Sequence, residues 1–499
     1  MIDALDVASL EQFQLELIEA GFEPCDSEQR SWVGPLAESL RGLTDAETMK
    51  IVFADGWPFQ HPRLFVDGLD EQHVTAAGDV CLWPSGAPGN AWMTLPGYLA
   101  RVHDWGIHAK TEFRPEDFAL DAHLYFSGVR TGAIATVNLE SLRLRRGNGG
   151  RGEISATWEK HGSVLEIKGG RQGAIEGRWY FVGDIRVPPR TLDQVRALLD
   201  KGQETNFDRR YKRVAEHGEP RLFMLAWDRE LGREALVLLA EKQDGVVQAE
   251  AIEVAPTDLS YLKLRAGPDV DVLAGRCAVV LGLGAIGSHL AVNLAEAGLG
   301  KVHLVDADHL RPTNVVRHAA NGLMIGRPKI EAVKLLIRLS APWTKVTEVN
   351  EAPWGPARLR EITKNADLVV DATGSASFAA LISHLCHEDQ RPLVSAALYR
   401  GGALSRVRRQ LPNDVPFADR NDASGHPLIP IGPEPIAYEP GCSSPVNNAS
   451  PVAVASVAAL AAEVASDYLA GRMEYPDEVI DVYRMLDEPP FDKLGKMLT

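Results

Sequence analysis

The chain has 499 residues, 45% hydrophobic and 24% charged, which is ordinary for a protein with several globular cores. Its net charge of −16 argues against broad binding to nucleic acid or to an anionic membrane, since either needs a basic face; proteins or small molecules are the expected partners. There is no apolar run of about 18 residues, and the acidic start MIDALDVASLEQFQLELIEA lacks a signal-peptide pattern, so a cytosolic location is expected. Cys25, Cys81, Cys277, Cys386 and Cys442 are scattered without a C-x-x-C pair, which predicts reduced thiols and no structural zinc.

Residues 1–120 read as a small α+β unit. A helix is expected over Ser9 to Ala20, strands near Trp32 to Leu36 and Met49 to Ala54, and a second helix from Thr94 to Trp105. Cys81 follows Gly78-Asp79-Val80 in a Gly/Pro-rich stretch, which places it on an ordered surface loop. A single free cysteine is more often core filler than a reactive group, so this position alone assigns no chemistry.

The same segment resembles the ubiquitin-conjugating enzymes, which carry a ubiquitin-like protein as a thioester. The family's Tyr-Pro-Phe-x-x-x-Pro element has a counterpart one residue shorter in Trp57-Pro58-Phe59-Gln60-His61-Pro62, and its G-x-x-C-L in Gly78 to Leu82. The resemblance implies that Cys81 is the thioester cysteine and that Trp92 is the tryptophan following the active loop. The family's His-Pro-Asn falls on Glu71-Gln72-His73, so His73 replaces the oxyanion-stabilising Asn. A histidine there can donate a hydrogen bond, act as a base toward an attacking amine, or be a structural substitution.

Residues 121–260 alternate apolar and polar positions between glycine turns, as in VRTGAIATVNLESLRLRRGNG and GRWYFVGDI, which predicts an antiparallel sheet. TLDQVRALLDKGQETNF reads as one amphipathic helix, and FMLAWDR and ALVLLAEKQ as two more strands. The block is read as a β-rich linking or docking domain, and its Arg143, Arg145, Arg146 and Arg151 as a solvated face.

The richest stretch runs from Cys277 to Asp308. Cys277 to Leu281 reads as a buried parallel strand, Gly282, Gly284 and Gly287 form a G-x-G-x-x-G turn, and Ser288 to Ala297 has a helical apolar repeat. Such a turn lets backbone approach a phosphate at a helix N-terminus. The next strand, Lys301 to Val305, ends in Asp306, placed to bind ribose hydroxyls. To this point NAD and ATP are both admissible. Asn314, Arg317 and Lys329 follow, and such donors suit attack at the α-phosphate of ATP, where charge spreads over phosphoryl oxygens and pyrophosphate departs.

This region resembles the ThiF/MoeB superfamily, which includes the ubiquitin-activating enzymes. The residues that carry the resemblance are the glycine turn, Asp306-x-Asp308, Asn314-x-x-Arg317, Gly326-x-Pro-Lys329 and ADLVVDAT from Ala366 to Thr373. It implies a Rossmann-like adenylation domain over 261–499, with ATP and Mg2+ as cofactors and a ubiquitin-like protein's C-terminal carboxylate as substrate. Asp306 would bind ribose, and Asn314, Arg317 and Lys329 the phosphates. Arg265 would reach across a homodimer to the second copy's ATP. Thr373-Gly374-Ser375 stands where the family has Thr-Asp-Asn, which leaves Asp371 as the nearest magnesium ligand.

Gly441-Cys442 precedes a long small-residue helix, and a helix N-terminus stabilises a thiolate. By the resemblance Cys442 captures the acyl group from the adenylate. Cys277 and Cys386, on a strand and an apolar helix, read as core. The complete expectation is an α/β multidomain protein whose layout resembles bacterial fusions of antiphage ubiquitin-like conjugation systems. In it, Cys442 passes the acyl group to Cys81 for delivery to a target lysine. A sulfur-carrier adenylyltransferase and a nucleotide-binding docking scaffold are the alternatives.

Overall fold

The computed structural model describes residues 2–83, 90–113, 120–142, 144, 150–229, 232–352, 355–420, 428, 437–438, 445–446 and 448–498. They fall into two compact units, Met1–Asp258 and Leu259–Thr499.

The first unit opens with α1 (Ile2–Glu19) and an antiparallel meander of β1 (Glu23–Pro24), β2 (Ser31–Pro35), β3 (Thr48–Val52), β4 (Arg63–Phe65) and β5 (Asp79–Val80). Period-two patterning sets its inner face: Met49 and Ile51 of β3 are buried while Thr48 and Lys50 are exposed. Helix α2 (Leu95–Lys110) covers that face with Tyr98, Val102 and Trp105. Its start is set by Thr94, whose hydroxyl accepts from Gly97 N–H. Phe13 meets Phe53 and Trp57 edge-on, with ring centroids 5.2 and 5.5 Å apart.

The rest of this unit departs from the antiparallel sheet expected from sequence. Strands β6 (Val129–Val137), β7 (Arg151–Trp158), β8 (Val164–Gly169), β9 (Ile175–Gly183), β10 (Arg221–Arg229), β11 (Gly232–Gln243) and β12 (Val246–Pro256) close into a barrel. Its order is β10-β11-β12-β6-β8-β7-β9, with parallel pairs β9–β10, β6–β12 and β6–β8. Alternation along a strand reports which face is buried; it does not report the direction of the neighbour. The predicted helix over residues 191–207 is two helices, α3 (Leu192–Leu198) and α4 (Lys201–His217). Asp200 breaks it, because its carboxylate accepts from Gly202 and Gln203 N–H in a capping box that starts a new helix.

The second unit begins with short helices α5 (Leu259–Leu262) and α6 (Val270–Leu273). It continues through β13 (Cys277–Leu281), α7 (Ala285–Glu296), β14 (Lys301–Val305), α8 (Lys329–Ser340), β15 (Lys345–Val349), α9 (Pro356–Thr363), β16 (Leu368–Asp371), α10 (Ala376–Glu388), β17 (Leu393–Tyr399) and β18 (Leu404–Gln410). The small pair β19 (Ala437–Tyr438) and β20 (Pro445–Val446), then α11 (Pro451–Ala470), β21 (Glu478–Val482) and β22 (Gly495–Leu498) complete it.

The main sheet runs β15-β14-β13-β16-β17-β18-β21-β22, with β15 through β17 parallel. Every residue of β13 is buried because both faces are covered. Ala278 and Val280 join the core under α7, α8 and α11, while Val279 and Leu281 join the core under α9 and α10. Helix α11 is long and apolar enough to cross a membrane, with mean hydropathy 1.5, yet 61% of its window is buried inside this unit. After β15 the chain returns to the other side of β13. That topological switch opens a crevice at the carboxyl ends of β13, β14 and β16, where α/β sheets bind ligands.

Candidate active site

A cavity of about 230 Å³ occupies that crevice, lined among others by Gly282, Gly284, Asp306, Lys329, Glu351 and Thr373. The three turn glycines have different reasons to be there. Gly282 has φ +85°, a left-handed conformation that side chains disfavour. Gly287 is a packing glycine: a Cβ there would sit 1.9 Å from the Gly282 carbonyl oxygen. Gly284 has neither reason, since its φ is −74° and an added Cβ would meet no protein atom within 4 Å. It is the helix N-cap residue of α7 and it faces the cavity.

Asp306 ends β14 beside the glycine turn. Its Oδ2 accepts from Leu283 N–H at 2.7 Å and its Oδ1 from Asp308 N–H at 2.7 Å. These bonds fix the carboxylate and leave a lone pair on each oxygen for a ribose hydroxyl. The Lys329 ammonium is buried at the start of α8, 2.8 Å from Asp308 Oδ2 and 3.9 Å from Asp306 Oδ1. Its hydrogen bond holds the Asp308 carboxyl below the usual carboxylate range.

His318 is a contributor that the sequence reading passed over, although it directly follows the N-x-x-R pattern. Its Nδ1 accepts from Ala320 N–H at 3.0 Å, so its Nε2 carries the proton donated to the Leu283 carbonyl at 2.9 Å. Burial lowers its pKa to about 4, as a neutral ring in that role requires. Because the folded value lies below the unfolded one, the stabilisation is complete above pH 6.5 and is lost as pH falls toward 4. We expect acid to cost the second unit about 3 kcal/mol at most through this group. Denaturant titrations of the wild type and His318→Gln across that window check it, the variant giving a flatter profile.

The other predicted residues are more dispersed. Asn314 and Arg317 lie on one turn, where Asn314 accepts from Arg317 N–H and His318 N–H at 3.0 Å, and the cavity lining given by the described residues does not include them. Arg265 is exposed on the short 3-10 turn Lys263–Arg265. Asp371, the expected magnesium ligand, is held inside the protein. Its Oδ1 accepts from Thr373 Oγ1 at 2.8 Å and its Oδ2 from Ser395 Oγ at 3.0 Å, and burial raises its pKa. Asp371 is buried and does not line the cavity given by the described residues, so the structure does not bring it to the nucleotide crevice. Cys442 lies outside the described residues. Cys277 and Cys386 are buried, and burial pushes the Cys386 thiol up to about 12.

In the first unit, half-buried Cys81 directly follows β5. Its N–H donates to the His73 carbonyl at 2.7 Å, and a bridge between Val74 and Val80 lies alongside. His73 is buried and holds φ +61°, rare for a side chain other than Asn, Asp or His. Its ring lies 4.5 Å from that of Phe113. Trp92 is also buried, and its Nε1–H donates to the Pro58 carbonyl at 2.9 Å.

Residues 268–487 match the model of the ThiF family. The chain is 33% identical over 196 residues to uncharacterized protein y4qC of Sinorhizobium fredii, covering 35% of this chain and 34% of that protein. It is 29% identical over 164 residues to the adenylyltransferase and sulfurtransferase uba4 of Pyricularia oryzae, covering 32% of each. It is 27% identical over 142 residues to the molybdopterin-synthase adenylyltransferase of Haemophilus influenzae, covering 28% of this chain and 58% of that one. The chain thus spans about a third to a little over half the length of these curated relatives. The C-terminal unit contains a ThiF-type, Rossmann-like domain with its crevice at Gly284, Asp306 and Lys329.

Proposed function

We propose that the second unit binds ATP and adenylates the C-terminal carboxylate of a partner protein. The observation that carries this reading is Gly284, a glycine facing the cavity with no protein reason to be one, with Asp306 and Lys329 lining the same cavity. Backbone can approach a phosphate closely there, at the N-terminus of α7. The curated relatives named as adenylyltransferases support the same reaction class.

In the reaction, a carboxylate oxygen attacks the α-phosphorus and pyrophosphate leaves, giving an acyl adenylate. Lys329 stabilises the phosphoryl charge, released in part from Asp308, which is solvent-exposed and tolerates its loss. Asp306 orients the ribose. No step is assigned to magnesium. The Cys442 thiol then attacks the acyl carbon and expels AMP, and Cys81 takes the acyl group by thioester exchange and passes it to a lysine amine. A ubiquitin-like protein as the acyl donor, a homodimer using Arg265 in trans and an antiphage setting belong to the same proposal. The relatives named for sulfur transfer and molybdopterin synthesis favour a second reading, a sulfur-carrier adenylyltransferase in which Cys81 takes no part.

The nucleotide is tested by thermal unfolding of the full chain. ATP in excess is expected to raise the unfolding midpoint of the second unit, because a ligand that binds only the folded state stabilises it. NAD is expected to leave it in place. A rise with NAD and none with ATP would reverse the proposal.

A further inference from the structure

The loop that sets up Cys81 is bonded at every residue by the barrel half of the same unit. From 70 to 76, each residue has at least one hydrogen bond to residues 124–194. Arg190 supplies four: Nε donates to Asp70 Oδ1 at 2.5 Å, Nη1 to the Thr75 carbonyl at 2.9 Å, and Nη2 to the carbonyls of Val74 at 3.0 Å and Glu71 at 3.3 Å. Its guanidinium also lies over the Tyr125 ring, 5.6 Å from the centroid. The Tyr125 hydroxyl accepts from His73 N–H at 3.0 Å, and Ala76 N–H donates to the Leu124 carbonyl at 2.9 Å. Arg186 Nη2 donates to Glu71 Oε2 at 3.1 Å, and Gln72 Nε2 to the Arg186 carbonyl at 2.7 Å.

The loop in turn holds the cysteine. The His73 carbonyl accepts from Cys81 N–H at 2.7 Å, and Thr75 N–H donates to the Asp79 carbonyl at 2.9 Å. His73 keeps a left-handed backbone in the middle of it, a conformation that persists only where the surroundings over-determine it. Tyr125 bonds His73 N–H directly, and Arg190 holds the carbonyls of Glu71, Val74 and Thr75 on either side of it.

We infer that the barrel half is a splint for the Cys81 loop, with Arg190 and Tyr125 as positioning residues for thioester exchange at Cys81. The inference rests on the reading of Cys81 as an acyl carrier. Arg190 is suited to the task because a planar guanidinium presents several fixed donors to several carbonyls at once, which an ammonium cannot do in one geometry.

The probe is a short peptide carrying a C-terminal glycine thioester of an alkyl thiol, offered to the full chain. The Cys81 thiolate attacks the carbonyl carbon, the new C–S bond replaces the old one, and the alkyl thiolate leaves and takes a proton from water. Intact mass and peptide mapping follow acylation at Cys81, with exposed Cys25 as internal control. Arg190→Ala and Tyr125→Phe are each expected to slow acylation at Cys81 about tenfold, as small misplacements of a reacting group do. Arg190→Lys is expected to recover part of the loss, and Cys25 to react equally in all. Tyr125→Phe keeps the ring beneath Arg190 and removes the acceptor of His73 N–H, so it decides the matter if Arg190→Ala fails to fold. A wild-type Cys81 acylated no faster than in the denatured chain would remove the carrier reading and this inference with it. Acylation at Cys81 that proceeds equally fast in wild type, Arg190→Ala and Tyr125→Phe would overturn the splint alone.

Discussion

Gly287→Ala is expected to unfold or severely destabilise the second unit, whereas Gly284→Ala leaves its stability near wild type and weakens ATP binding. The first methyl group would fall 1.9 Å from the Gly282 carbonyl oxygen and 3.1 Å from the Ala372 Cβ. Neither neighbour can move without separating α7 from β13 and β16. Overpacking costs about 1–3 kcal/mol and occasionally more, and a 1.9 Å approach to a backbone oxygen belongs at the upper end, a large share of a typical domain's stability. The second methyl group meets no protein atom within 4 Å, so it harms only what enters the cavity. Chemical denaturation and ATP titration of the two variants check the pair. Equal losses of stability in both would mean that the turn serves packing alone.

Lys329→Ala is expected to lower ATP-dependent formation of acyl adenylate by about 10²- to 10³-fold, the usual effect of removing one charge-stabilising donor from a transition state. Its loss also leaves Asp306 without its neighbouring cation, and that side chain is only 10% exposed. Nucleotide affinity should therefore fall together with the rate. Asp308→Asn removes the resting partner of Lys329 and should be far milder, since the Asp308 side chain is 70% exposed and pays little for its solvation. Pyrophosphate exchange in the three proteins, with a substrate protein that supports it, distinguishes these roles. A Lys329→Ala enzyme with wild-type exchange would remove the lysine from the phosphate site.

Much of the second unit was readable along the chain. The strand Cys277 to Leu281, the glycine turn and Asp306 form one contiguous signal, because a buried parallel strand, a phosphate turn and a helix leave their period and their glycines in adjacent residues. The helix after the turn starts at Ala285, three residues before the apolar repeat announces it, since its first turn carries the glycine pattern and hides the period. In the first unit β2, β3 and both flanking helices were visible as alternation and as 3.6-residue repeats, although α1 starts at Ile2 rather than Ser9, while the short β1, β4 and β5 were not read as strands. α2 runs on to Lys110, beyond the Trp105 expected.

What could not be read depends on residues far apart. Nothing within 191–207 distinguishes one helix from two until the Asp200 carboxylate is seen to cap the second. The barrel closes because β9 and β10 run side by side across an intervening helical segment. Asp371 reads as a strand-end carboxylate, and only the fold shows it bonded to the hydroxyl of Ser395, 24 residues on. His318 acquires its role through a carbonyl 35 residues away, and Tyr125 meets His73 N–H across 52. Local periodicity and turn chemistry therefore specify the strand, the glycine loop and the acid that make a nucleotide cradle. Long-range packing specifies which partners each polar group already has inside the protein, and so which of them face the cavity where a substrate can be met.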